Sequence, residues 1–319
     1  EWSAWAATKR PARLTGTWTI TGHDPGKGAM YGTMTVTADP SDLDAFTTNT
    51  SYVYAESGEE VQRTGRTMVY TGYQWRGRSN PGAADELREV MFVERDQQSM
   101  WGRWFRGDYD EIGPDISMQR ATGGTVVSGV YPRALEQGAS TEVTVYGVEL
   151  SDGSELDFGA GITVGSTRTS NDGTLTVELQ VDADADVGGR DLFSNGAIAE
   201  GAVVIHDGVD RIAVTPGIAT ARTGGAHFPK GYETFDAWGY DDGPDGEPNT
   251  ADDLELGRVP ANWHIEEYAA TYGDDDVDSA PIGSRQRSLG ARTRAHASID
   301  NHHHCCRRRR RISTWRRTR

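Results

Sequence analysis

The sequence predicts an all-β protein built of modules in series: an antiparallel barrel, then an immunoglobulin-like sandwich, then a truncated third β unit. Three observations carry this reading. Glycine supplies 39 of 319 residues while hydrophobic residues make up 36%, a composition of short strands and tight turns rather than long amphipathic helices. Run after run alternates apolar with hydroxyl or charged residues, the period-two mark of a strand with one buried face. Gly, Pro, Asp and Asn clusters punctuate these runs at loop-like spacing. At ~100–150 residues per domain, the length allows two or three modules, each able to bury a core.

Residues 1–15 read as a linker left from a missing N-terminal domain: a Trp/Ala/Arg segment without Met and without the charged and apolar regions of a signal peptide. Thr15 to Thr21 opens the alternation, and Met30 to Thr37, Ser51 to Ala55, Arg66 to Tyr73, Glu89 to Glu94 and Ser99 to Phe105 repeat it. Six such runs between polar turns predict an antiparallel barrel over residues 16–121. Residues 122–222 continue with Val126 to Val130, Thr141 to Val148, Ile162 to Arg168, Thr174 to Val181, Ala202 to His206 and Ile212 to Thr215. Asn171-Asp172-Gly173 joins two of them as a tight hairpin, since these residues tolerate positive φ. So many short strands in about 100 residues predict the sandwich. The acidic run Val181 to Gly188 reads as a solvated sandwich edge. Residues 223–278 hold Phe235 to Tyr240, an acidic glycine-rich loop, and Trp263-His264-Ile265, too little to complete a sheet and bury a core alone.

Charge divides the chain again. Through Gly283 there are 47 acidic and 20 basic residues, a balance of −27, whereas Ser284 to Arg319 holds 12 arginines against Asp300. Such an acidic body stays soluble by self-repulsion, suits a salt-rich setting, and repels nucleic acid and anionic lipid. No stretch approaches the ~18–20 apolar residues of a membrane span. Both cysteines, Cys305 and Cys306, fall in residues 279–319, so the body offers no disulfide, thiolate metal site or cysteine nucleophile. That Arg-rich tail, with His302-His303-His304-Cys305-Cys306 before Arg307 to Arg311, reads as neither helix, strand nor turn. Frame-shifted translation of a GC-rich gene explains it; an authentic tail would instead be a basic tether with a metal-binding His/Cys tract.

Several motifs invite a chemical reading. Gly22 to Gly28 looks superficially like a phosphate-binding loop, but three residues rather than four precede Gly26-Lys27 and no hydroxyl follows, so it reads as a turn between strands. The Asp241 to Asp253 loop is the best cation candidate, being rich in hard oxygen donors, although its spacing is not that of an EF-hand and a solvated turn competes. Asn49-Thr50-Ser51 matches the N-glycosylation pattern. The body histidines stand far apart, and neither His-Glu-x-x-His nor Gly-x-Ser-x-Gly occurs. Arginines flank tryptophans in Tyr73 to Arg78 and Met100 to Gly107. Such pairs serve barrel scaffolding or binding hot spots through cation–π stacking, and Trp75, Arg76, Arg103 and Trp104 are the candidate partner-interface residues.

Gly16-Thr17-Trp18, His23 to Gly28, Gly72 to Gly77 and Ser99 to Phe105, followed by Val130-Tyr131-Pro132, Gly161 to Val164, Val187 to Asp191 and Ile212 to Pro216, resemble in their order the β-rich domains II and III of the quinohemoprotein amine dehydrogenase α subunit. Phe228-Pro229-Lys230, Asp242 to Gly246, Trp263 and Asp274-Asp275-Asp276 resemble the opening of domain IV, and Trp2 to Leu14 the exit from its cytochrome domain. The resemblance covers residues 1–278. It implies a complex in which primary amines are oxidised to aldehydes at a cysteine tryptophylquinone in a γ subunit. Electrons then pass to haem c groups of the α-subunit cytochrome domain, a β subunit completes the assembly, and the location is extracytoplasmic.

Covalent haem attachment needs Cys-x-x-Cys-His, which the sequence lacks. The resemblance therefore implies no cofactor of this chain's own and no catalytic residue, only a scaffold and partner surface. A secreted adhesion protein, recognising carbohydrate through exposed Trp and Tyr in a concave patch or holding calcium in the Asp241 loop, is the rival expectation.

Overall fold

The computed structural model describes residues 12–106, 112–171, 173–217, 219–220, 226, 233–265, 292–293 and 295–298. The segments 1–11, Phe228 to Lys230 and Asp274 to Asp276, and all but six residues of the 279–319 tail, lie outside the described residues. Every element described is a strand, and the chain is all-β as the alternation predicts.

The first eight strands, β1 (Gly16–Asp24), β2 (Gly28–Asp39), β3 (Asp42–Tyr54), β4 (Glu60–Tyr70), β5 (Gln74–Ser79), β6 (Leu87–Val93), β7 (Ser99–Arg106) and β8 (Asp115–Arg120), run up and down and close into a barrel. Each pairs antiparallel with the next, and β8 returns to β1, so no edge is left unpaired. The inward positions of the alternation fill the lumen. Trp18, Trp75, Trp104, Met30, Met34, Met91, Met100 and Met118 are all fully buried, and a small barrel of this kind is packed rather than hollow. The segment expected as linker contributes at its end: Ala12 and Leu14 belong to this core, and the Trp18 indole donates to the Leu14 carbonyl at 2.9 Å.

Three strands of the barrel differ from the sequence reading. Arg66 to Tyr73 reads as one strand, yet the chain reverses within it, with Thr71 and Gly72 at positive φ of 57° and 76°. The hydroxyl of Thr71 mimics the alternation there, which hides the turn. β5 and β8 escape the pattern because β5 carries Gly77 and Ser79 on its inward face, and β8 follows a proline-containing loop.

β9 (Val126–Tyr131), β11 (Ser140–Val148), β12 (Ile162–Asn171) and β13 (Thr174–Val181) form a four-stranded sheet in the order β12-β13-β11-β9. β10 (Ala134–Glu136), β14 (Gly188–Ser194) and β15 (Ala197–His206) form a three-stranded one. Val143, Val145, Leu175, Val177 and Leu179 from the first meet Leu135, Leu192, Val203 and Ile205 from the second in a single core, which makes the pair a sandwich. Gly173, at φ +100°, closes the β12–β13 hairpin.

β16 (Arg211–Thr215) does not join the sandwich to which residues 122–222 assign it. It pairs with β18 (Asp236–Asp241), which pairs in turn with β19 (Leu254–Arg258). Its short Ile-Ala-Val run fits either sheet, so only the long-range partner decides. Short pairings also join β17 (Ala219–Thr220) to β21 (Arg292–Thr293) and β20 (Asn262–Ile265) to β22 (Ala295–Ser298). Strands at 292–293 and 295–298 depart from the expectation of a structureless tail; Ala-His-Ala-Ser is itself an alternation, obscured by the surrounding arginines.

Candidate functional site: the module junctions and the outer barrel face

Strand register places the outward residues of the barrel in circumferential rows. One row runs Tyr70, Gln74, Phe92, Trp101, Ser117, Thr21, Tyr31, each opposite the next across neighbouring strands. The row beside it runs Met68, Arg76, Val90, Arg103, Asp115, His23. Both rows end at a neighbouring module.

The first row ends on the sandwich. Tyr31 stacks on Tyr146 with ring centroids 4.6 Å apart and planes 14° from parallel, and Thr21 Oγ1 donates to the Ser128 carbonyl at 2.9 Å. Burial, with Tyr146 alongside, pushes the Tyr31 phenol up to about 12. Gly129 makes room for this ring: a Cβ there would lie 2.3 Å from Tyr31 Cε1.

The second row ends on the third module at Asp236, whose side chain is buried. His23 Nε2–H donates to Asp236 Oδ2 at 2.9 Å, while the Gly26 amide and Arg258 Nε donate to Oδ1 at 3.0 and 2.8 Å. Arg258 also donates to the Gly26 carbonyl at 3.2 Å and pairs with Glu56 of the barrel. The His23 ring lies 5.1 Å from that of Trp238. Burial works against the Asp236 charge, yet the bonds from His23 and Gly26 and the Arg258 guanidinium outweigh it and hold the carboxyl below the usual range. Gly26 has φ +81°, and a Cβ on it would lie 2.4 Å from Thr234 Cγ2. The Gly22 to Gly28 turn, which looked like a phosphate loop, is thus the barrel's contact with the third module.

The four residues expected at a partner interface separate by face. Trp75 is 0% and Trp104 1% exposed; both point into the lumen, where Trp75 Nε1 donates to Glu89 at 2.8 Å and Trp104 Nε1 to Met91 Sδ at 3.3 Å. They are core, and they offer no surface to a partner. Arg76 and Arg103 lie on the outward row, with Arg76 donating to the Trp75 carbonyl and Arg103 gripping Asp115 at 2.7 and 2.9 Å. Among the described residues the arginine-on-tryptophan stack that forms is a different one, Arg120 over Trp18 at 4.5 Å.

On the barrel the aromatics that reach solvent are Trp101 at 52% and Phe92 at 42% exposure, with Tyr70 and Tyr73; Phe193 of the sandwich is exposed as well. Phe92 and Trp101 pair across β6 and β7 with ring centroids 5.2 Å apart, and Trp101 Nε1 donates to Glu94 at 3.0 Å. The sequence carried the signal for this: along Met100 to Phe105 alternation must send Trp101 and Trp104 to opposite faces, so only one can be core.

In the Asp241 to Asp253 loop the carboxylates serve the chain itself. Asp242 and Asp253 pair with Arg211, Asp253 accepts from the Asn249 amide at 2.8 Å, and Asp241 from the Gly243 amide at 2.9 Å. Among the described residues no group of three or more His, Cys, Asp or Glu is arranged to hold a metal ion. The described residues include no cysteine, so nothing in them fits a covalently attached haem. At one barrel mouth a cavity of about 200 Å³ is lined by Asp24, Lys27, Tyr54, Arg63 and Arg106. Its charges are already matched: Asp24 pairs with Arg106 and accepts from Tyr54 at 2.6 Å. Asn49 of the glycosylation pattern stands exposed on β3, on a hydroxyl-rich open groove of about 410 Å³. Among the described residues no helix is long and apolar enough to cross a membrane.

Comparison with known proteins agrees with the motif order. The family model for quinohemoprotein amine dehydrogenase α-subunit domain II matches residues 11–121, that for domain III residues 124–207, and that for domain IV residues 212–288. The domain IV match begins at β16 and runs to 288, past the end at 278 read from the sequence. No curated protein matches the chain. Among solved structures, a de novo designed fluorescence-activating β-barrel is 19% identical, covering 34% of this chain and 93% of its own, with a TM-score of 0.26. A redesigned β-barrel is 13% identical, with 34% and 91% covered and a TM-score of 0.27. On the three successive family matches, the chain belongs to the quinohemoprotein amine dehydrogenase α-subunit family, in the part that comprises domains II, III and IV.

Proposed function

We propose that this chain is the β-domain portion of an amine dehydrogenase α subunit and that its role is positional. It scaffolds the haem c and cysteine tryptophylquinone of other segments and subunits during oxidation of primary amines to aldehydes, in an extracytoplasmic complex. The partners are the cytochrome domain of the same subunit and the β and γ subunits. The carrying observation is Asp236, one buried carboxylate that takes hydrogen bonds from His23, Gly26 and Arg258 and so ties two modules together. Tyr31 on Tyr146 does the same for the sandwich. Contacts of this kind fix relative placement, which is what electron carriers on separate bodies require.

The adhesion reading needs exposed aromatics in a concave site. Phe92 and Trp101 stand on the convex outside of a closed barrel, and neither of the cavities described above includes them. The test is co-expression of the full chain with the cytochrome segment and the β and γ subunits. A stable complex containing the chain, together with no amine turnover by the chain alone, is expected; turnover by the isolated chain would refute the proposal.

A further inference from the structure

We propose that the outer barrel face around Phe92 and Trp101 is a protein docking surface, and that its occupant is a folded partner chain presenting an apolar centre with a carboxylate for Arg76. The inference rests on the scaffold reading and deepens it by naming where the partner sits.

The first argument is continuity. The row Tyr70, Gln74, Phe92, Trp101, Ser117, Thr21, Tyr31 is one registered band around the barrel, and at its Thr21–Tyr31 end it carries the sandwich. The row beside it carries the third module at its His23 end and bears Arg103 and Arg76 at the other. The band that meets the sandwich at one end, next to a row that meets the third module, leaves its largest apolar side chains, Phe92 and Trp101, uncovered further along.

The second argument is pre-organisation. Trp101 is held through its Nε1–H by Glu94 and through its ring by Phe92, so little side-chain freedom remains to be lost on contact. Large aromatics in fixed positions with an arginine nearby are the composition of interface hot spots.

The third argument selects the occupant. The flanking Arg103 is neutralised by Asp115, while Arg76 donates to the Trp75 carbonyl at 3.0 Å, leaving positive charge beside the aromatic pair that a carboxylate on the partner would match. A second copy of this chain is a poor occupant, because chains that each carry a net charge of −16 repel each other. The convex surface also suits a macromolecule better than a small ligand.

The test uses the assembled complex and three variants of the full chain: Phe92→Ser with Trp101→Ser, Arg76→Glu, and Leu43→Ser. Leu43 is exposed on β3, away from the band, and serves as control. The double variant is expected to weaken association with the haem- and quinone-bearing partners at least tenfold, Arg76→Glu to weaken it severalfold, and Leu43→Ser to leave it unchanged. Barrel folding is checked by near-ultraviolet circular dichroism, which reports the buried Trp18, Trp75 and Trp104. A folded double variant that binds the partners like wild type overturns the docking face while leaving the scaffold reading intact. Failure of wild type to bind any of the partners overturns both. Concentration-dependent dimerisation of the chain alone, abolished by the double variant, overturns the heterologous occupant in favour of a second copy.

Discussion

His23 and Asp236, 213 positions apart in the chain, meet Nε2 to Oδ2 at 2.9 Å. Because Asp236 also accepts from Gly26 and Arg258, one carboxylate holds a barrel turn, a barrel histidine and a strand of its own module. Buried charges are tolerated only when matched in this way.

Replacing Asp236 by Ala strips three donors of their acceptor at once and leaves Arg258 with Glu56 alone. Roughly 3 kcal/mol of docking free energy is expected to be lost. Limited proteolysis should then cut between sandwich and third module faster than in wild type, while the barrel keeps its melting transition.

The same carboxylate sets an acid limit. Since the fold lowers the Asp236 pKa, its contribution is present above the unfolded value and is lost as pH falls through the folded one. Acid below the ordinary carboxylate range should release the third module, and Asp236→Asn should remove that acid step; the pH dependence of inter-module cross-linking reads it.

Glu89 gives the opposite sign. It is buried beside Trp75, and desolvation pushes its carboxyl up to about 7, although the Trp75 N–H works the other way. The folded state therefore holds a proton that the unfolded chain releases near 4.5. Stability from this group is full below that value and declines, by on the order of 3 kcal/mol, as pH rises to about 7. Denaturant midpoints measured from pH 4 to 8 should slope downward in wild type and flatten in Glu89→Gln.

At the other junction, Gly129→Val forces a side chain into the space of the Tyr31 ring, where even a Cβ would lie 2.3 Å away. The overpacking is expected to cost about 1–3 kcal/mol and to separate barrel and sandwich into two thermal transitions. Tyr31→Leu in the same background should partly restore the single one.

In the lumen, Trp104→Ala removes a fully buried indole from among Met91 and Tyr52. A loss of ~3–5 kcal/mol is expected, measured as the urea midpoint of the barrel. Trp101→Ala, between the inward positions Met100 and Gly102 and itself on the outer face, should change stability by less than about 1 kcal/mol. That contrast separates the core tryptophan from the surface one.

Much of the fold was legible because period-two alternation is a local signal: β1, β2, β7, β11 and β13 appear in the residues almost as they stand in the structure. β5 was not, since Gly77 and Ser79 occupy inward positions where the pattern wants large apolar side chains. β16 falls in the sandwich by its place in the sequence, whereas its partner β18 lies beyond a long segment and only tertiary pairing chooses between two sheets. At the candidate site the Arg/Trp motifs group Trp75 and Trp104 with Arg76 and Arg103 by chain proximity, whereas the tryptophans point into the lumen and the arginines lie on the outer face. Alternation puts neighbours on opposite faces, and applying it at Trp101 and Trp104 separates the two. The junction at Asp236 was out of reach, because nothing local in Phe235-Asp236-Ala237 marks an acceptor for His23.

The central claim is that this chain works by holding redox bodies in place, and the most direct measurement is amine-driven haem reduction in the assembled complex, followed by stopped-flow absorbance. With Asp236→Ala in place of wild type, amine should reduce the quinone at an unchanged rate while electron arrival at the haems slows. Unchanged haem reduction with the junction demonstrably open, or amine oxidation by this chain without its partners, would contradict the account.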